Sequence, residues 1–285
     1  MSDWLIDNEA TVRLAFSLGV FAVMALWEVL APRRPLTIGK AARWANNIGI
    51  VVLNTLLLRL LFPAAAVGVA LAAQRGGWGL LNQIELHPVL AFLGAVVVLD
   101  AAIYLQHVMF HAVPTLWRLH RVHHADLDFD VTTGARFHPI EIVLSMLIKF
   151  AVIVVLGPPV AAVIAFEILL NATAMFNHSN VRLPLPVDGV LRWLVVTPDM
   201  HRVHHSIEDD ETNSNFGFNL PWWDRLFGTY RDQPRGGHRD MTIGIRTFRD
   251  PRQCDRLPAM LWLPFAAPVS GYAINRRQWD DETRD

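Results

Sequence analysis

Eight of the chain's twelve histidines stand in ligand-like spacing. One HxxxH (His107, His111) is followed by two HxxHH, at His120, His123 and His124 and at His201, His204 and His205. On a helix, residues i and i+4 share a face about 6 Å apart, so His107 and His111 can grip one ion or flank two. In HxxHH the first and later histidines face together while the adjacent pair diverges by about 100°, which suits a motif serving two neighbouring metals. Protonated, such a cluster repels itself; buried and neutral, it needs hydrogen-bond partners. A bound cation resolves both problems, because imidazole ligates only when neutral. Zinc, copper, iron and nickel all suit imidazole, and eight nitrogens exceed one tetrahedral zinc, pointing to two metals with open positions. Calcium and magnesium call for oxygen ligands that these motifs lack. His87, beside Pro88, and His238, in a Gly-rich stretch, read instead as ordinary polar residues.

The elements that must position these imidazoles are built for a lipid bilayer. Of 285 residues, 53% are hydrophobic and only 18% charged, and the mean hydropathy is +0.30, beyond ordinary globular usage. Apolar runs extend from about Val12 to Leu30, Ile48 to Ala73, Pro88 to His111, Ile140 to Leu156 and Val160 to Phe176. A span needs about 20 apolar residues, so the first three are good candidates and the last two, a hairpin joined by "GPP", are borderline. The second run is interrupted by Asn54, Arg59 and Pro63. No strand-like alternation of any length occurs. The expected fold is all-α and integral to the membrane, with four to five membrane helices and a histidine-rich helical cap.

Charge orients the expectation. The segments 32–45, 112–139 and 178–285 carry the arginine excess, so the positive-inside rule places them, and every motif histidine, on the cytosolic side. The start "MSDWLIDNEATVR" lacks the basic n-region of a cleaved signal peptide, so the first run is expected to remain. A net charge of −1 argues against nucleic acid as a partner. The single cysteine, Cys254, excludes an internal disulfide.

With these motifs, the chain resembles the fatty acid hydroxylase and sterol desaturase superfamily. The likeness rests on the three histidine motifs and on "RFHPIE" (136–141), "FNHSN" (176–180), "TPDMHRVHHS" and "NSNFGFNLPWWDRLFGTY" (213–230), roughly residues 95–235. The resemblance implies a non-haem di-iron centre that uses O2 to hydroxylate or desaturate an unactivated C–H bond of a lipid or sterol-like substrate. It also implies that the eight motif histidines are ligands, with His178 as a ninth, His138 as a ligand or a supporting group, and no catalytic residue beyond the ligands. Two iron ions are then the cofactor, with zinc a possible occupant of purified protein. No GxGxxG and no extra cysteines are present, so electrons must come from a separate donor protein.

Metal-bound histidines usually give their other N–H to a carboxylate or carbonyl. Asp100, Glu141, Glu167, Asn171 and Asp199 are candidates for that supporting role, whereas Asp126 and Asp128 read as a solvated loop. Arg59 and Asp100 each lie about 16 Å deep by helical rise, which suggests an intramembrane pair bracing His107. The segment "NLPWWDRLFGTYR" reads as interfacial or as a roof over the site, and "PAMLWLPFAAP" as interfacial or core packing; neither receives a chemical role. The chain divides into membrane helices (1–95), a catalytic part (96–235, including the hairpin 140–176) and a cytosolic or interfacial tail (236–285). Within enzymes, the alternatives are hydroxylation of a polar-headed aminoacyl lipid or of a carotenoid. From another class stands a membrane metal-binding or transport protein, but only Arg59, Asp100, Glu167 and Asn171 lie inside the bilayer, whereas transport needs coordinating groups through to the far side.

Overall fold

In a computed structural model of the chain, residues 4, 8–269 and 274 are described. The end of the expected tail beyond residue 269, Ile274 apart, lies outside them, as do residues 1–3 and 5–7 at the expected uncleaved start. Among the described residues there is no strand, only the isolated bridges Pro32–Val181 and Ser206–Ile243.

The chain runs through α1 (Glu9–Leu30), α2 (Lys40–Leu61), α3 (Ala65–Gly76), α4 (Pro88–Ala112), α5 (Pro114–His124), α6 (Pro139–Leu156) and α7 (Val160–Asn177). Short helices follow: α8 (Leu185–Leu191), α9 (Pro198–His204), α10 (Asp209–Thr212), α11 (Trp222–Leu226), α12 (Gly237–Asp240), α13 (Pro251–Cys254) and α14 (Leu257–Ala266). Among the described residues, five stretches are long and apolar enough to cross a membrane: α1, the broken pair α2–α3, α4, α6 and α7. The second apolar run therefore behaves differently from its sequence expectation. Its helix begins at Lys40 rather than Ile48, because the polar first turns of α2 bury Arg43 and Asn47 against the cap. The helix then breaks before Pro63, which has no N–H to continue the ladder.

Prolines and glycines punctuate the bundle. Pro88, Pro114, Pro139 and Pro198 occupy the first helical positions of α4, α5, α6 and α9, where a missing N–H costs nothing. Pro114 also drives Val113 into an extended conformation, φ −94° and ψ 116°, so the chain turns sharply between α4 and α5. That turn folds the HxxHH of α5 back over the histidines ending α4. At the opposite end, Gly157 closes α6 at φ 64° against Gly79, where an added Cβ would come 2.2 Å from the Gly157 nitrogen.

Two apolar clusters hold the parts together. Within the bundle, Ala70 of α3, Leu99 of α4, Ile153 of α6 and Phe166 of α7 pack together. Beneath the cap, Ile50 of α2, Trp117 and Val122 of α5, and Met260 and Leu263 of α14 form a second core, each burial contributing about 2 kcal/mol. Helix α14 thus packs inward through Met260 and Leu263 while Trp262 and Phe265 stay exposed. Arg121 completes it by donating to the carbonyls of Leu263, Ala267 and Pro268, groups a helix end leaves unpaired. Side by side, joined by the hydrogen bond from Trp222 Nε1 to Trp193 O, the α8 and α11 regions expose an apolar collar of Leu185, Val190 and Trp193 with Trp222, Leu226 and Phe227. The Arg225 guanidinium, 3.6 Å from the Trp193 ring centre and 3.9 Å from that of Tyr230, clasps the two halves of the collar.

Candidate metal centre

Helices α4 and α7 both deliver their last turns to the cap end of the bundle, so His107, His111 and His178 arrive at one level beneath α5 and α9. Nine buried histidines meet there in two groups, within each of which ligand atoms lie inside 4.8 Å of one another. His107, His111, His120, His124 and His204 form one; His123, His178, His201 and His205 form the other. Each HxxHH is shared between them. The i and i+4 members, His120 with His124 and His201 with His205, stay together, and the middle histidine crosses to the other group.

Hydrogen bonds fix which nitrogens face inward. A carbonyl or carboxylate oxygen can only accept, so each Nδ1 that meets one carries the proton and leaves Nε2 as a lone pair. His107 Nδ1 donates to Phe216 O at 2.8 Å, His204 Nδ1 to Ser214 O at 2.7 Å, and His178 Nδ1 to Ala174 O at 2.8 Å. His120 Nδ1 lies 2.6 Å from Glu141 Oε1, and His111 Nδ1 3.3 Å from Asn213 Oδ1. The freed Nε2 atoms of His107, His120 and His204 are buried with no hydrogen-bond partner, an arrangement too costly to stand without an acceptor of lone pairs. Other Nε2 atoms converge directly: His178 lies 3.1 Å from His123 and 2.9 Å from His201, and His111 lies 3.2 Å from His124. Ligands at right angles with metal–nitrogen bonds of about 2.1 Å stand about 3 Å apart, so the donor set fits a metal ion in each group.

Electrostatics agree. Burial pushes the His120 and His178 imidazoles down to about 3. Burial and then neighbouring imidazoles hold His123, His124, His201 and His205 well below the usual imidazole range. The cluster is thus neutral and ready to ligate. Aromatic rings wall it from water: Phe216 sits 5.1 Å from His111 and 5.5 Å from both His107 and His204, Phe137 stacks 4.4 Å from His123, and Phe129 lies 5.0 Å from His205.

The remaining sequence candidates fall in other places. His138 is outside both groups; it caps α6, accepting from Ile140 N, and its Nε2 meets Leu261 O. Glu141 alone of the five proposed supporting residues touches a clustered histidine. Glu167 instead joins Arg13 and Lys149 inside the bundle, which adds Lys149 of α6 to the four intramembrane polar residues counted from sequence. Asn171 donates to the Glu167 carbonyl one turn back. Asp199 pairs with Arg33 and Arg202. Asp100 does not pair with Arg59: it accepts from Asn219 N and Nδ2, Leu220 N and Trp223 Nε1, while Arg59 faces outward. Nor are Asp126 and Asp128 a solvated loop. Both are fully buried, Asp126 against Arg43 and Thr133, Asp128 beneath the N–H groups of Thr37 and Ile38.

Sequence reasoning used residues 213–230 for the family resemblance and gave 219–231 no chemical role, yet Asn213, Ser214 and Phe216 supply three of the five Nδ1 acceptors. Asp224, buried among them, accepts from Phe216 N and Gly217 N, and burial pushes its carboxyl up to about 6. The signal lay in the Asn- and Asp-rich spacing of a segment otherwise aromatic, typical of loops tied by side-chain-to-backbone bonds.

Comparison with known proteins places this architecture. The family model described as fatty acid hydroxylase matches residues 92–229. An ornithine lipid hydroxylase of Rhizobium tropici is 28% identical over 239 residues, 79% of this chain and 69% of that protein. Alkylglycerol monooxygenases of Xenopus tropicalis and Homo sapiens are 31% and 30% identical over 209 and 159 residues, 71% and 55% of this chain. The matches span only 45% and 34% of those two proteins. No solved structure matches.

Proposed function

The chain belongs to the fatty acid hydroxylase family, and on that premise we propose that it is a membrane oxygenase that hydroxylates an unactivated C–H bond of a polar-headed lipid. One oxygen atom of O2 enters the C–H bond and the other leaves as water, with two electrons and two protons consumed. The observation that carries the reading is the pair of buried histidine groups whose unpartnered Nε2 atoms point inward.

Two iron ions, one in each group, would be held by His107, His111, His120, His124 and His204 and by His123, His178, His201 and His205. Iron so bound supplies the O2 activation that C–H cleavage requires. The chain's own residues do the rest. Glu141 and the carbonyls of Ala174, Ser214 and Phe216 hold the Nδ1 protons, which fixes each ring's tautomer and direction. Phe137, Phe129 and Phe216 keep bulk water from the oxidant.

Residues 96–235 form the catalytic part, with 1–95 as membrane helices that also brace the cap through Arg43. The relatives' names, an ornithine lipid hydroxylase and alkylglycerol monooxygenases, favour a lipid substrate with a polar head. The arginine-rich segments share the histidines' end of the bundle, which favours a cytosolic site. With a single cysteine and no nucleotide fingerprint, the chain takes its electrons from a separate donor protein. The test is anaerobic purification from iron-57-enriched cells, followed by Mössbauer spectroscopy and single turnover with labelled O2 and an extract of host lipids. About two irons per chain and a lipid gaining one labelled oxygen are expected. One zinc, or no metal, with no lipid modified would overturn the reading.

A further inference from the structure

His107 and His111 end α4 and His204 ends α9, yet the Nδ1 atoms of all three face one short stretch, Asn213 to Phe216. All three belong to the five-histidine group. In the four-histidine group, His178 is held from another element, by Ala174 O of α7. The stretch has no helix or strand of its own, so its shape must come from its ties. Asn213 and Ser214 are tied to the carbonyls of Asp209 and Glu211, and Phe216 and the neighbouring Gly217 are tied by Asp224, 0% exposed. Its Oδ1 accepts from Phe216 N at 2.7 Å and Thr229 Oγ1 at 2.7 Å, and its Oδ2 from Gly217 N at 2.8 Å. Its carbonyl accepts from the N–H groups of Thr229 and Tyr230. Asn215, at φ 50°, donates to Met200 O and Arg231 O and accepts from Arg231 N.

We infer that Asp224 is a positioning residue that, through Phe216 and Gly217, sets the five-histidine metal site independently of the four-histidine site. The inference rests on the two-ion reading above. Without the carboxylate, two backbone N–H groups lose their acceptor and Phe216 O is no longer held against His107. The His107 ring then loses both its tautomer and its direction, while Ser214 and Asn213, tied to the carbonyls of Glu211 and Asp209, still face His204 and His111. Supporting groups of this kind change metal affinity by about 10- to 100-fold, here at one site of the two.

Two variants probe the device by different routes. Asp224→Asn keeps the volume but turns an amide N–H towards a backbone N–H. Gly217→Ala leaves Asp224 in place but sets a methyl carbon 2.6 Å from Asp224 Oδ2 and 2.9 Å from Leu220 O, displacing the carboxylate. Trp222→Ala, on the exposed side of α11, is the control. The full chain in detergent is loaded with iron-57, and metal content, Mössbauer spectra and helicity by circular dichroism are measured. The expected result is two ions in the parent and in Trp222→Ala, and about one in both other variants, with helicity kept and the surviving iron in a single unchanged environment. Two ions with parent spectra in both variants, or equal loss of both ions with helicity kept, would overturn the inference. Absence of iron from the parent itself would instead sink the two-ion reading. Should Asp224→Asn lose helicity, Gly217→Ala decides.

Discussion

Glu141 Oε1 lies 2.6 Å from His120 Nδ1, across 21 residues of sequence. Both are buried, at 3% exposure each. Glu141 sits in the first turn of α6 and His120 in the middle of α5, so the contact ties the membrane hairpin to the cap at the rim of the five-histidine group.

The contact should matter more for metal than for fold. Glu141→Ala removes the acceptor that holds the His120 proton on Nδ1, and iron affinity should fall about 10- to 100-fold. Glu141→Gln, which can still accept through its amide oxygen, should fall less. Competition against a calibrated chelator reads both, and equal retention in the alanine variant would remove Glu141 from the site's support.

His138 should behave in the opposite way. It lies in the motif "FHPIE", but its ring caps α6 rather than entering either histidine group. His138→Ala should keep its full iron content and lose about 1 kcal/mol of stability, the usual cost of a lost cap. A fall in bound iron would make it a ligand after all.

Arg43 is the buried charge whose loss should be felt most. At 1% exposure it bonds Asp126 at 2.8 Å and Asp130 at 2.6 Å, locking α2 to the loop after the first HxxHH. Arg43→Met strands two buried carboxylates, which typically costs about 3–5 kcal/mol. Denaturation of the metal-free protein should show that loss, whereas Arg59→Leu, on an outward face, should stay within about 0.5 kcal/mol of the parent.

His238 gives acid sensitivity a sign. Burial, opposed by nearby Asp199, pushes its imidazole down to about 3, below the usual 6.5 of an unfolded chain. The unfolded state therefore takes the proton first, and the stability His238 contributes is complete above pH 6.5 and lost as pH falls towards 3. At pH 5 the parent should have lost about 2 kcal/mol through this residue. In His238→Gln the denaturant midpoint should decline less between pH 7 and pH 5. Parallel profiles would show that the ring is not neutral in the fold.

The partition of the histidines is legible in sequence because helical spacing is local: i and i+4 share a face whatever packs around them. The apolar spans are legible for the same reason, since length and composition set them. The partner of Asp100 is not. Its depth matched that of Arg59, but depth says nothing of which way a side chain points around a helix, and four donors of the 219–223 segment reach it instead. Asp126 and Asp128 misled in a related way. Short acidic loops are usually solvated, and only the fold shows the polar half of α2 and the 37–38 turn lying over them. Residues 213–230 carried the least legible function, because their contribution is made largely by backbone carbonyls, which no side-chain pattern announces.

The exposed collar of Leu185, Val190, Trp193, Trp222, Leu226 and Phe227 has a kinetic consequence. Exposed aromatic rings and aliphatic chains of this kind favour the headgroup and upper acyl level of a bilayer. A lipid meets such an enzyme by lateral diffusion within a leaflet, not by collision from solution. The variable that governs its turnover is then the substrate's mole fraction in the bilayer. Diluting the substrate with inert lipid at fixed bulk molarity should slow the reaction, while concentrating the same vesicles should leave the rate per enzyme unchanged.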